Sequence, residues 1–148
     1  MIEFTGHLDV AHPPRIVFEQ LADMAELSRW NPNVTSSERT SGDRFAVGST
    51  YLSTIRRGPL QMVARSTLTA VEPGRSVTYE GPISGMWSVD SLHFEPASAG
   101  TRITFSNHTR PPSWLRPFGP ILNAAFQPQA RKAVDGARRY LERLPRDD

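Results

Sequence analysis

Asp90 and Asn107 are the residues of this 148-residue chain whose types and placement suit proton chemistry. The runs 86–95 and 101–110 are rich in strand-forming residues, and Pro96-Ala97-Ser98-Ala99-Gly100 between them reads as a turn. Antiparallel pairing about that turn sets Phe94 opposite Ile103, Leu92 opposite Phe105 and Asp90 opposite Asn107. The four apolar side chains form an inward face, and Ser88, Asp90 and Asn107 continue it as a polar group. A carboxyl on such a face is costly unless partnered, and desolvation raises its pKa toward values useful in proton transfer. Two roles are open to the pair. Either it orients a ligand carbonyl or hydroxyl, with Asp90 as the candidate catalytic base, or its members satisfy each other near the solvent-exposed sheet edge.

Trp87 has the opposite parity to Leu92 and Phe94. A bulge near Asp90-Ser91 would turn Trp87 inward and re-aim Asp90; without one, Trp87 packs on the outer face. Tyr51 and Tyr79 lie mid-strand, where a hydroxyl on an apolar body suits phenolic or steroid-like molecules. Arg65 reads as outward, because Met62, Ala64, Ser66 and Leu68 share the other parity. Trp30 either closes one end of a cavity or anchors a helix pair in the core. The sequence lacks a nucleophile elbow, a phosphate loop, a dinucleotide fingerprint and a paired-histidine zinc motif. His7, His12, His93 and His108 are scattered without ligand spacing, and there is no cysteine, so no metal or cofactor is expected.

The elements that must position these residues follow from periodicity. Residues 2–10 alternate apolar and polar as a half-buried strand. Pro13-Pro14 opens a short helix, and Asp23 caps a second that carries Met24, Leu27 and Trp30. Six strands are expected near 33–40, 48–57, 60–71, 75–81, 86–95 and 101–110, separated by Gly- and Pro-bearing turns. Helical spacing returns in Leu122, Phe126, Ala130, Ala133, Ala137, Leu141 and Leu144, with Pro128 predicting a kink or a late helix start. The order predicts an α+β fold: a curved, seven-stranded antiparallel sheet wrapped around a long C-terminal helix, with two short helices after strand 1. One helix face cannot fill the whole concavity, so a cavity for a small apolar ligand is expected between sheet and helix. Its expected lining is Tyr51, Trp87, Asp90, Leu92, Phe105, Asn107, Leu122 and Phe126.

Composition frames this as one domain over residues 1–148, with 38% apolar and 22% charged residues and a net charge of +2. Sixteen of the seventeen basic residues are Arg, and the mildly basic segment 131–148 reads as a solvated helix face, not a nucleic-acid site. With no apolar run of membrane-spanning length and no signal-like start, a cytoplasmic protein without stable membrane insertion is expected. The Pro-rich segment 111–120 holds Trp114, Leu115 and Phe118, which are expected to cover the cavity mouth, plug the core end, dock on a membrane surface or bury in a homodimer contact. Monomer and homodimer both remain open.

The sequence resembles the polyketide cyclase/dehydrase and lipid-transport family of the START-like (SRPBCC, Bet v 1-like) superfamily over essentially its whole length. The resemblance rests on Pro-Pro-Arg-Ile-Val-Phe-Glu-Gln-Leu-Ala-Asp (13–23), Leu27-Ser28-Arg29-Trp30-Asn31-Pro32, Thr69-Ala70-Val71-Glu72-Pro73-Gly74, Phe94-Glu95-Pro96 and Gly100-Thr101-Arg102-Ile103-Thr104. It implies a helix-grip fold and a hydrophobic ligand, carried by a binding protein or processed by a cofactor-free cyclase, dehydrase or isomerase. These motifs are structural, so the resemblance carries over no catalytic residue.

Overall fold

The computed structural model describes residues 1–145; residues 146–148, which the single-domain reading includes, lie outside the described residues. The chain runs β1 (Ile2–Val10), α1 (Pro14–Leu21), a 3-10 turn (Met24–Glu26), α2 (Leu27–Trp30), β2 (Val34–Ser41) and β3 (Thr50–Arg57). It continues with β4 (Leu60–Glu72), β5 (Ser76–Ile83), β6 (Met86–Ala97), β7 (Gly100–Arg110), a 3-10 segment (Ser113–Phe118) and α3 (Gly119–Glu142). The strands form one curved antiparallel sheet in the order β1-β7-β6-β5-β4-β3-β2, with α3 across its concave face. This is the helix-grip architecture expected from the element order.

Local chemistry accounts for the boundaries. Pro13 stands in extended conformation before α1 and Pro14 occupies its first turn, where a missing N–H costs nothing. Asp23 accepts a hydrogen bond from the Ala25 amide at 3.0 Å and is held by Arg44 Nε, also at 3.0 Å. The β5–β6 turn is Ser84-Gly85, both with positive φ (47° and 78°), the conformation whose twist suits a two-residue hairpin. α3 runs unbroken through Pro128. Pro128 and Ala124, whose carbonyl loses its helical partner, are both exposed, so water can satisfy that group.

β6 pairs without a register break against both β5 and β7. Phe94 faces Ile103, Leu92 faces Phe105 and Asp90 faces Asn107, as the alternation predicts. With no bulge, Trp87 stays on the outer face, 42% exposed. Arg65 is exposed as well.

The core lies toward the closed end of the sheet, where Val17, Leu21, Leu68, Val77, Ile103 and Leu141 are fully buried. Phe18 of α1 packs edge-on to Phe94, with ring centroids 5.4 Å apart. α3 approaches the α2–β2 junction through Gly136, where an added Cβ would sit 2.3 Å from the Trp30 carbonyl oxygen and 2.5 Å from Pro32 Cδ. Glycine at that position sets the depth to which the helix sinks.

Of the alternatives for the Pro-rich segment, the structure excludes the core plug for Trp114 and Phe118. Trp114 is 73% and Phe118 51% exposed, and neither plugs the core. Four prolines hold the segment in a 3-10 path that points these side chains away from the sheet.

Candidate functional site

Between the sheet and the N-terminal half of α3 the structure leaves a cavity of about 250 Å³. Leu92 and Phe105 of the β6–β7 hairpin, Leu122 and Phe126 of α3, and Met62, Ile83 and Met86 of the neighbouring hairpins supply apolar wall. α3 changes character along its length: Ala130, Val134, Ala137 and Leu141 are buried, whereas Leu122 and Phe126 remain half-exposed. The last two therefore face space that other side chains do not fill.

The polar group expected at the end of the hairpin is present on the cavity wall. Asn107 Nδ2 donates to Asp90 Oδ1 and, at 3.0 Å, to Ser88 Oγ. Ser88 Oγ donates to Asp90 Oδ2 at 3.3 Å, and Thr109 Oγ1 donates to Asn107 Oδ1 at 2.8 Å. Asp90 is thus held from both carboxylate oxygens, and its remaining exposure is toward the cavity. Removal from water pushes the Asp90 carboxyl above the ordinary carboxylate value, and the hydrogen bonds from Asn107 and Ser88 only partly offset this. A proton there can be held or taken up without a neighbouring cation.

A second set of polar atoms lines the same cavity without partners. Trp30 Nε1, Ser53 Oγ and Gln129 Oε1 are buried and make no hydrogen bond in the protein. Buried groups of this kind are normally satisfied, so they are candidates for ligand or water contact. Sequence pattern singles out Trp30 but passes over Ser53 and Gln129. Ser53 shares the parity of Tyr51 on β3, a signal that points inward; a lone Gln beside Ala130 on a helix offers none.

Of the residues expected around the ligand, Asp90, Leu92, Phe105, Asn107, Leu122 and Phe126 come together here, and Tyr51 and Trp87 do not. Tyr51 is 2% exposed and stacks edge-on against Tyr79 at 5.3 Å, part of the core and not of the cavity wall. Burial drives its hydroxyl pKa upward. Tyr79 reaches the cavity, but its hydroxyl is committed to structure, donating to the Ala22 carbonyl (2.6 Å) and accepting from the Met24 amide (3.2 Å). Trp87 is excluded by its outward parity. His12 is structural too, its Nε2 lying 3.0 Å from the Leu141 carbonyl oxygen. Among the described residues no three His, Asp or Glu side chains converge as a metal site.

A curved antiparallel sheet closed by one long helix over an apolar cavity defines a helix-grip, START-like domain. The family model described as polyketide cyclase / dehydrase and lipid transport matches residues 1–142, and the chain belongs to this family. No curated protein matches the sequence. Among solved structures, the Zhui aromatase/cyclase from Streptomyces sp. R1128 superposes with a TM-score of 0.77 at 14% identity, covering 95% of this chain and 93% of that one. Ginseng major latex-like protein 151 from Panax ginseng gives 0.75 at 14% identity, covering 97% of each chain. A Thermus thermophilus protein, TTHA0849, gives 0.77 at 12% identity, covering 95% of this chain and 96% of that one. At such identities the likeness is one of fold.

Proposed function

We propose that the protein binds a compact, mainly apolar molecule, polycyclic or lipid-like, in the cavity between sheet and α3, and serves as a carrier or binding protein. The observation that carries this reading is an apolar cavity with two separate polar stations, the Ser88–Asp90–Asn107–Thr109 network and the unpartnered Trp30, Ser53 and Gln129 atoms. An apolar cavity of about 150 Å³ takes up benzene, so 250 Å³ suits a molecule of two fused rings or a short acyl chain bearing a hydroxyl or carbonyl. Leu92, Phe105, Leu122 and Phe126 would contact its apolar body, and Asp90 and Asn107 its polar group. Native mass spectrometry against fatty acids, quinones, steroids and small aromatic polyketides tests it. A retained one-to-one complex with one class supports the reading; no complex with any class, together with no thermal shift, overturns it.

One observation favours a second reading, cofactor-free acid–base catalysis of cyclisation, dehydration or isomerisation. Asp90 is desolvated, faces the cavity and is oriented by Asn107, an arrangement suited to taking a proton from a bound substrate. A structural neighbour with an aromatase/cyclase name fits this reading through the fold alone. Tyr51, an attractive carbonyl partner in the sequence, has no place in it because it does not line the cavity. Asp90→Asn separates the readings: a base makes turnover vanish while ligand binding persists, and a carrier shows no turnover to lose.

A further inference from the structure

We propose that the end of the molecule around the cavity mouth docks on the surface of an anionic lipid bilayer. Strand register brings four pieces of chain to this one end, beside the start of β1, whose Ile2 pairs with Thr109. They are the β3–β4 turn at 58–59, the β5–β6 turn at 84–85, the end of β7 at Arg110, and the 3-10 segment leading into α3. Leu122 and Phe126 of α3 meet Met62 and Met86 in the cavity lining, which ties the cavity to the same end.

Two properties of this end coincide. It displays large apolar side chains to solvent: Leu60 (64% exposed), Trp114 (73%), Phe118 (51%) and Ile121 (69%). At the opposite end the β2–β3 loop shows Val47 as its exposed large apolar residue. The second property is charge. Residues 55–64, 81–89 and 109–127 contain Arg56, Arg57, Arg110 and Arg116 and no Asp or Glu, and Glu3, which the start of β1 brings beside them, lies 3.5 Å from His108 Nδ1. Neither Arg110 nor Arg116 joins an ion pair among the described residues. At the opposite end Asp9 pairs with Arg102 (3.0 Å) and Glu19 with Arg44 (3.2 Å).

Trp, Phe, Ile and Leu beside Arg match the boundary between lipid headgroups and acyl chains. Arg110 and Arg116 would meet anionic headgroups and the apolar side chains would enter the boundary layer. A twofold contact between copies of this chain fits less well, since it would set the unpaired Arg110 and Arg116 close to their own copies, and Glu3, an acid at this end, already lies beside His108. Pro111, Pro112, Pro117 and Pro120 stiffen the segment that carries Trp114 and Phe118, so little chain ordering is lost on docking. Among the described residues no helix is long and apolar enough to span a membrane, which makes the contact peripheral. Docking this end would set the cavity mouth against the bilayer, a direct route for an apolar ligand.

The test needs no ligand. The intact protein is sedimented with vesicles of mixed phosphatidylcholine and phosphatidylglycerol, or of phosphatidylcholine alone. Wild type should partition onto the anionic vesicles, with binding falling as salt rises. The triple variant Trp114→Ser, Phe118→Ser, Ile121→Ser should bind at least tenfold more weakly, and Arg110→Gln, Arg116→Gln about tenfold or more, as expected for two basic groups near an anionic surface. These side chains are exposed, so circular dichroism should show both variants folded; Val47→Ser at the far end should bind like wild type. Absence of binding to anionic vesicles, or binding untouched by both variants, overturns the proposal. So does a concentration-dependent dimer in analytical ultracentrifugation that the triple variant abolishes, which would make the patch an interface between copies.

Discussion

At the Phe94–Ile103 end of the β6–β7 hairpin the inward side chains meet Phe18 of α1, and both are almost wholly removed from solvent. Two pairs along the same strands, at Asp90–Asn107, the inward side chains meet open space and one another. Both ends are spanned by α3. Its Ala137 and Leu141 close the first, and its Leu122 and Phe126 stand over the second without filling it. The difference is one of layering. α1 inserts Val17 and Phe18 between sheet and helix at the filled end, whereas at the other Trp30 of α2 borders the cavity without filling it. A carboxyl is tolerable at the hollow end because Asn107 and Ser88 satisfy it and a cavity, not hydrocarbon, lies in front.

The contrast is broken most directly by emptying the filled end. Ile103→Ala should destabilise the protein by about 2–5 kcal/mol in chemical denaturation, since the cavity it opens lies among closely packed neighbours. A loss under about 1 kcal/mol would mean this end is no better packed than the other. Next in size, Gly136→Ala should cost about 1–3 kcal/mol, because its Cβ meets the Trp30 carbonyl and Pro32 and α3 must lift. Lifting should also alter the cavity, read as changed uptake of anilinonaphthalene sulfonate.

At the hollow end, Phe126→Ala should cost less stability than Ile103→Ala, roughly 1 kcal/mol, because its side chain is only half-buried at the outset. Its larger effect should be on binding of that same probe, and equal losses of stability in the two variants would remove the distinction between ends. Asp90→Asn sharpens it electrostatically. The carboxyl pKa is raised in the folded state, so the fold holds this proton more tightly than the unfolded chain does. Its contribution is fully present below the ordinary value of 3.8 and is lost as pH rises through the raised folded value. The variant should therefore gain relative to wild type between acidic and neutral pH and show no such gain below that value. A stability difference independent of pH would show that Asp90 is not desolvated. The smallest effect is expected at Trp87→Ala, with under about 1 kcal/mol lost and probe binding unchanged, because that side chain lies on the outer face.

Alternation and spacing alone determined the seven strands, the long amphipathic helix and the pairing of Asp90 with Asn107, since a period of two and a short turn leave one favourable register. They also placed Ala130, Ala137 and Leu141 on the buried face of α3 but passed over Val134, which the structure buries with them. The destiny of Trp87 was legible only as an alternative, because a bulge of one residue leaves almost no mark in sequence and reverses every side chain beyond it. Tyr51 illustrates a different limit. Its parity is inward, but whether an inward side chain ends in core or in cavity depends on neighbours from distant chain, here Tyr79, itself tied to Met24 of the 3-10 turn. The same holds for Ser53 and Gln129, whose lack of partners is a property of the assembled layers. For Trp114 and Phe118 the apolar type argued for burial, yet the prolines that stiffen their segment carry them past the core into solvent. Local pattern set the direction of each side chain relative to its own strand or helix; what lay in that direction was decided by tertiary packing, because it depends on elements far apart in the chain.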